Sequence, residues 1–139
     1  MTQFPVENGE LLIGGIPLTR LAARVGQTPF YAYDRQLLTQ RVTALRSALP
    51  PTVKIHYAMK ANPMPALVAH MASLVDGIDV ASGGELKVAL DAGAGHPPVS
   101  FAGPGESQTD LLRAAASGIL INIESFREVT ELARITAET

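Results

Sequence analysis

Val53-Lys54-Ile55-His56-Tyr57-Ala58-Met59-Lys60-Ala61-Asn62 is the stretch on which the fold turns. It alternates strictly, and successive side chains of a strand point to opposite faces. Val53, Ile55, Tyr57 and Met59 therefore share one face, with Lys54, His56, Ala58 and Lys60 on the other. The first face is apolar and suited to a cover of helices. The second is chemically mixed. The run stops at Asn62-Pro63, because proline donates no ladder hydrogen bond and biases the residue before it away from helix. Lys60 is thus expected at the carboxyl end of a strand, on the face away from the helices. In sheets built from strand–helix repeats, ligands and chemistry gather at that end.

Toward the N-terminus, Phe30-Tyr31-Ala32-Tyr33 reads as a short strand and Asp34 as the N-cap of a helix. Leu38, Val42, Leu45 and Leu49 recur in that helix at helical spacing until Pro50-Pro51 ends it. Residues 1–26 read as a preamble: a strand and turn over 10–17, then an amphipathic helix from Leu18 to Val25 closed by Gly26.

Toward the C-terminus, Pro65 opens a helix whose buried side is Leu67, Val68, Met71 and Leu74. Residues 77–82 form the next strand, and Gly83-Gly84-Glu85 a turn into a helix that reaches about Ala92. A strand over 99–103 follows, then the turn Pro104-Gly105-Glu106-Ser107 and a helix carrying Leu111, Leu112, Ala115 and Ala116 as far as Gly118. Residues 119–123 form the last strand, and Ser125 with Glu128 a capping box for the last helix.

The strands begin at Phe30, Val53, Ile78, Val99 and Ile119, separations of 23, 25, 21 and 20 residues. Each interval holds one helix, so the connections are crossovers and the sheet is parallel. This α/β pattern fits either an open doubly wound sheet or a barrel of strand–helix units. The polar face of the second strand favours the barrel, because a central strand of an open parallel sheet is apolar on both sides. The expectation is a partial (β/α)8 TIM-type barrel over residues 27–139, with about five units present. A whole barrel takes about 250 residues, so its remainder is expected to be absent.

Composition narrows the function classes. A formal charge of -2 offers no electrostatic attraction for nucleic acid or an anionic membrane surface. The lack of cysteine excludes disulfides and thiolate chemistry within these residues. His56, His70 and His96 are too dispersed for a local metal motif. Neither a signal-peptide pattern nor a membrane-length apolar run is present, and a cytoplasmic location is expected.

Lys60 is the sharpest chemical candidate, since a lysine amine among apolar walls can attack a carbonyl. Its plain alternative is a solvated strand end. Asp79 is an acid on a buried strand, able to pair with a lysine across a barrel mouth or to bond a neighbouring turn. Glu85 stands at a helix N-terminus, where capping alone accounts for a carboxylate. Gly83-Gly84 and Gly103-Pro104-Gly105 are glycine-rich turns between strand and helix, able to cradle a phosphate on helix N-terminal amides or to serve as ordinary turns, and they match no Walker or dinucleotide fingerprint. His56, two residues before Lys60, is expected to be packed and hydrogen-bonded.

Four segments taken together carry a resemblance. Tyr57-Ala58-Met59-Lys60-Ala61-Asn62 is followed in order by Asp79-Val80-Ala81-Ser82-Gly83-Gly84-Glu85-Leu86, Ser100-Phe101-Ala102-Gly103-Pro104-Gly105 and Ile121-Asn122-Ile123-Glu124-Ser125. With the entry at Thr28-Pro29-Phe30-Tyr31-Ala32-Tyr33-Asp34, the chain from about Leu11 onward resembles the N-terminal part of the fold-type III pyridoxal-phosphate decarboxylases. That group includes diaminopimelate, ornithine and arginine decarboxylases. The resemblance implies an alanine-racemase-like barrel and pyridoxal 5'-phosphate as cofactor, with Lys60 as the Schiff-base lysine. It implies that Ala58 packs against the cofactor, that Asp79 lies near the Lys60 end of it, and that Glu85 lies close by. It further implies an amino-acid substrate that loses its α-carboxylate, and a homodimer at full length.

Two departures stand out. Glu106 follows Gly105 where the family often has lysine, which reverses a charge at the rim and points to another substrate or subgroup, such as the decarboxylases of exopolysaccharide gene clusters. The family's later parts, its lumen histidine, phosphate loop and C-terminal β domain, find no counterpart here, so the 139 residues alone are expected to be inactive. Other chemistry on the same cofactor is one alternative, a racemase or a pyridoxal-phosphate-binding protein. Pro63-Met64-Pro65-Ala66 stands where racemases usually carry Tyr-Gly-His-Gly, which disfavours the racemase. A non-catalytic half-barrel is the other alternative.

Overall fold

A computed structural model of the protein describes residues 3–93, 98–103 and 107–137. The chain divides into two compact units, Met1–Ala48 and Leu49–Thr139.

The first unit opens with an antiparallel meander of β1 (Val6–Glu7), β2 (Glu10–Ile13) and β3 (Ile16–Pro17). Its two hairpins turn on Asn8-Gly9 and Gly14-Gly15, all four at positive φ, as two-residue loops between right-twisted strands require. Helix α1 (Leu18–Val25) stops at Gly26, whose φ of 77° is the left-handed cap foreseen for it. Glu10 reaches the first turn of α1 and accepts hydrogen bonds from the amide and hydroxyl of Thr19. Asp34 caps α2 (Arg35–Ala48), accepting from the amide of Gln36 at 2.8 Å. Val42 is the buried residue of that helix, whereas Leu45 is exposed.

The strand expected at residues 30–33 does not form; these residues belong to no ladder. An extended segment becomes a strand only when a neighbour pairs with it. Residues 30–33 fall in the first unit, and the parallel sheet begins at His56 in the second.

The second unit alternates strand and helix: β4 (His56–Ala58), α3 (Pro65–Ala72), β5 (Gly77–Val80), α4 (Gly83–Asp91), β6 (Val99–Phe101), α5 (Gln108–Ala116), β7 (Leu120–Ile121) and α6 (Phe126–Ala137). The sheet order is β4-β5-β6-β7, every pair parallel. One face of it is core. Met59, Ile78 and Phe101 are fully buried and Val80 nearly so, in company with Leu67, Val68 and Met71 of α3, Leu86 and Ala89 of α4, and Leu111 and Ala114 of α5. Burying one such large side chain stabilises by roughly 1.5–3 kcal/mol.

Three local differences from the sequence expectation have physical causes. Strand β4 ends at Ala58, and Lys60 sits in a single 3-10 turn, Met59–Ala61. Beyond Ala58↔Asp79 the ladder is not continued, and the amide of Ala81 bonds the carboxylate of Glu85 at 2.7 Å. Gly83 and Gly84 lie inside α4 and not in a turn before it, because Ser82 caps the amide of Glu85 and so sets the helix start. In α5 the buried side is Leu111 and Ala114; Leu112 and Ala116 face outward, a phase that the alanine-rich sequence left open.

Candidate active site

Parallel register brings the chemistry of the open face into tiers. Ala58, Asp79, Ser100 and Leu120 are aligned across β4, β5, β6 and β7. Partners in a parallel ladder point to the same side, so these four share one face. Two residues further along each strand come Lys60, Ala81, Ala102 and Asn122. The amides of Ala102 and Asn122 still bond the preceding strands, to Val80 at 3.0 Å and Phe101 at 2.8 Å.

Between these tiers lies a pocket of about 210 Å³, at the carboxyl ends of the strands. Lys60, Ala58, Asp79 and Glu85, the four residues singled out from sequence, all line it. So do Ala81, Ala102 and Asn122, which sequence reasoning quoted within motifs but did not single out. Their signal was the register: stepping 21, 21 and 20 residues from Lys60 reaches each in turn. Glu106, His96 and the Pro104-Gly105 part of the glycine turn lie outside the described residues.

Asp79 is held firmly. Its Oδ1 lies 3.0 Å from Nδ1 of His56 and accepts a hydrogen bond from the hydroxyl of Ser100, which is buried. His56 is hydrogen-bonded as expected, with this carboxylate as its partner, but it is exposed and not packed away, because among the described residues the open face of β4 has no helix over it. Glu85 takes part in a capping box: its amide donates to Ser82 Oγ at 3.2 Å and its carboxylate accepts from Ala81. It therefore caps α4 and lines the pocket at once. Lys60 is exposed, and among the described residues its amine has no hydrogen bond or ion pair.

Two further capping boxes fix the helices behind the pocket. Ser107 and Asp110 open α5, and Asp110 also accepts the amide of Gly83 at 3.0 Å, joining the starts of α4 and α5. The Ser107 hydroxyl, with the Gly83 amide, holds the Asp110 carboxyl below its ordinary value against the opposing effect of burial. Ser125 and Glu128 open α6 as the sequence indicated. Bonds from the Glu124 amide and the Ser125 hydroxyl lower Glu128 likewise.

A flat carbonyl-bearing cofactor fits this donor set at one end. A single lysine lines the pocket together with three alanines, Ala58, Ala81 and Ala102, whose short side chains leave room for a planar ring. A carboxylate pinned from both neighbouring strands stands beside it. Lys60 is the one cation among the described residues that line the pocket. A larger cavity of about 410 Å³ lies between α4 and α5, around Lys87, Leu90 and Arg113. It shares no lining residue with the first pocket.

A parallel strand–helix sheet with a lysine, an aspartate and a glutamate at its carboxyl edge has the arrangement of the TIM-barrel class, in which ligands sit at that end of the strands. The chain belongs to the family of pyridoxal-dependent decarboxylases, whose pyridoxal binding domain it matches over residues 35–139. It is 39% identical over 132 residues to the diaminopimelate decarboxylase of Aquifex aeolicus, covering 94% of this chain and 31% of that protein. A solved structure of an Aquifex aeolicus protein superposes with a TM-score of 0.87 at 39% identity, over 97% of this chain and 34% of the other. Diaminopimelate decarboxylase from M. jannaschii gives 0.81 at 26% identity, over 97% and 33%. The α/β sheet is part of a barrel of this fold. The chain spans about a third of the length of the relatives it matches.

Proposed function

We propose that this chain supplies the pyridoxal-phosphate-binding part of an amino-acid carboxy-lyase, with Lys60 as the residue that captures the cofactor's aldehyde carbon. The observation that carries this reading is the convergence of Lys60, Ala58, Asp79 and Glu85 on one pocket at the carboxyl edge of the sheet. Family membership supports it. Bound pyridoxal phosphate supplies an electron sink that stabilises the negative charge left on a substrate α-carbon when carbon dioxide departs.

The chain's own residues have distinct parts in this proposal. Ala58, with Ala81 and Ala102, forms the floor on which the ring lies. Asp79 supplies the negative charge that pairs with a cationic nitrogen brought into the pocket. Glu85 holds the start of α4 against the pocket wall. Nζ of Lys60, once exchanged for the substrate's amine, is the nitrogen able to take and return protons there.

A diamino acid of the diaminopimelate kind is the proposed substrate, on the strength of what the relatives are named for. The homodimer implied by the resemblance and the cytoplasmic location expected from composition belong to the same proposal. Among the described residues no helix is long and apolar enough to cross a membrane. For the 139 residues by themselves the proposal is cofactor capture without carbon dioxide release, because they span about a third of the length of the decarboxylases they match. Release of carbon dioxide by the purified chain, abolished in Lys60→Ala, contradicts that part. The capture itself is tested by titrating the protein with pyridoxal phosphate and following the visible absorption of lysine-bound cofactor. Saturable uptake is expected in the wild type and none in Lys60→Ala; equal uptake by the variant sinks the assignment.

A further inference from the structure

We propose that His56, seated on Gly77, is a positioning residue for the pocket: with Ser100 it pins one oxygen of Asp79 and leaves the other for the nitrogen that Lys60 brings. The inference rests on the assignment of Asp79 to the cofactor pocket.

Gly77 is the seat. His56 and Gly77 are register partners on β4 and β5, on the same face. A Cβ placed on Gly77 meets Cε1 of His56 at 2.4 Å and both ring nitrogens at 2.6 Å. Nearly equal distances to three ring atoms mean that the imidazole lies face-down on the glycine. Any larger residue there displaces it, since such contacts are well inside van der Waals separation. From this seat Nδ1 reaches Asp79, two residues further along β5 and on the same face, at 3.0 Å.

Ser100 closes the arrangement from the opposite strand. It is the register partner of Asp79 on β6, is 5% exposed, and donates its hydroxyl to the same Oδ1. Asp79 is thus gripped from both flanking strands through one oxygen. Among the described residues Oδ2 accepts no hydrogen bond, and Asp79 and Lys60 line the same pocket. A carboxylate with both partners on one oxygen has its orientation fixed, and the second oxygen is presented for a charge-assisted hydrogen bond. His56 does not line the pocket. It acts through Asp79.

The test has a cofactor-free arm and a loaded arm. In the cofactor-free protein, imidazole NMR is expected to show a hydrogen-bonded Nδ1 proton on His56 that disappears in Asp79→Ala; its persistence in that variant overturns the pairing. In the loaded arm, affinity for pyridoxal phosphate is read by reductive trapping at Lys60. Loss of one hydrogen bond to a charged group predicts roughly tenfold weaker binding for His56→Leu. His56→Asn, whose amide nitrogen sits the same two bonds from Cβ as Nδ1, is expected to recover most of it. A merely space-filling histidine gives the reverse order, with leucine tolerated at least as well as asparagine, and overturns the proposal. Gly77→Ala is the independent variant: it is expected to weaken binding as His56→Leu does, and to cost nothing further when His56 is already leucine. Wild-type protein that takes no cofactor at Lys60 defeats the functional reading. Wild-type labelling that is unchanged in His56→Leu defeats this inference alone.

Discussion

The two faces of the parallel sheet are made by the same four strands and do opposite work. On the covered face, Met59, Ile78, Val80 and Phe101 are sealed beneath α3, α4 and α5. On the open face, one residue out of step, stand His56, Asp79, Ser100 and the pocket with Lys60. Alternation along a strand separates what holds the molecule together from what the molecule offers to a ligand. Substitutions on the first face are therefore expected to register as stability, and those on the second as binding.

The most severe break in this comparison is Lys60→Ala. It is expected to abolish cofactor capture while moving stability by less than about 0.5 kcal/mol, since exposed side chains without partners contribute little. Urea melting alongside trapping checks both halves; a large loss of stability contradicts the separation. Phe101→Ala tests the other face. Emptying so large a buried site is expected to cost about 3–5 kcal/mol. Its neighbour Ser100, one position along and on the open face, provides the contrast.

Smaller effects belong to the helix starts. Asp110→Ala removes a cap that joins α4 and α5 and is expected to cost about 1 kcal/mol at neutral pH. Because the folded-state value of Asp110 is lowered, its contribution is fully present above the ordinary 3.8 and is lost as pH falls through the depressed value. Wild type and variant should converge in acid, which urea midpoints across pH will show. The slightest effect is expected from Glu85→Gln, which keeps an acceptor for the Ala81 amide and should change stability by less than about 0.5 kcal/mol. A drop in cofactor affinity in that variant would then report the charge of Glu85 and not its cap.

Much of this was legible in the sequence where one residue sets one geometry. Gly26 ending α1, Pro65 opening α3, Asp34 capping α2 and the Ser125–Glu128 box all stand as read, because caps and breakers act within a turn of themselves. The strand–helix rhythm likewise held from His56 onward. What local sequence could not show depends on partners elsewhere in the chain. Residues 30–33 have strand composition and no ladder, and the strand before Lys60 stops short because the amide of Ala81 bonds a carboxylate. At the site, single residues with unusual chemistry were visible from sequence, whereas Ser100, Ala81, Ala102 and Asn122 needed the register that only pairing supplies. The resemblance named the lysine. The geometry supplied its company.

The central claim is that Lys60 is the pocket's reactive amine, and one measurement reaches it directly. The chain has three lysines, Lys54, Lys60 and Lys87. Protein incubated with pyridoxal phosphate and reduced with borohydride can be digested and its peptides weighed. The expected result is a pyridoxyl label on Lys60 that saturates at low cofactor concentration, with Lys54 and Lys87 labelled only in excess. Equal labelling of all three, or preference for Lys54 or Lys87, would contradict the account.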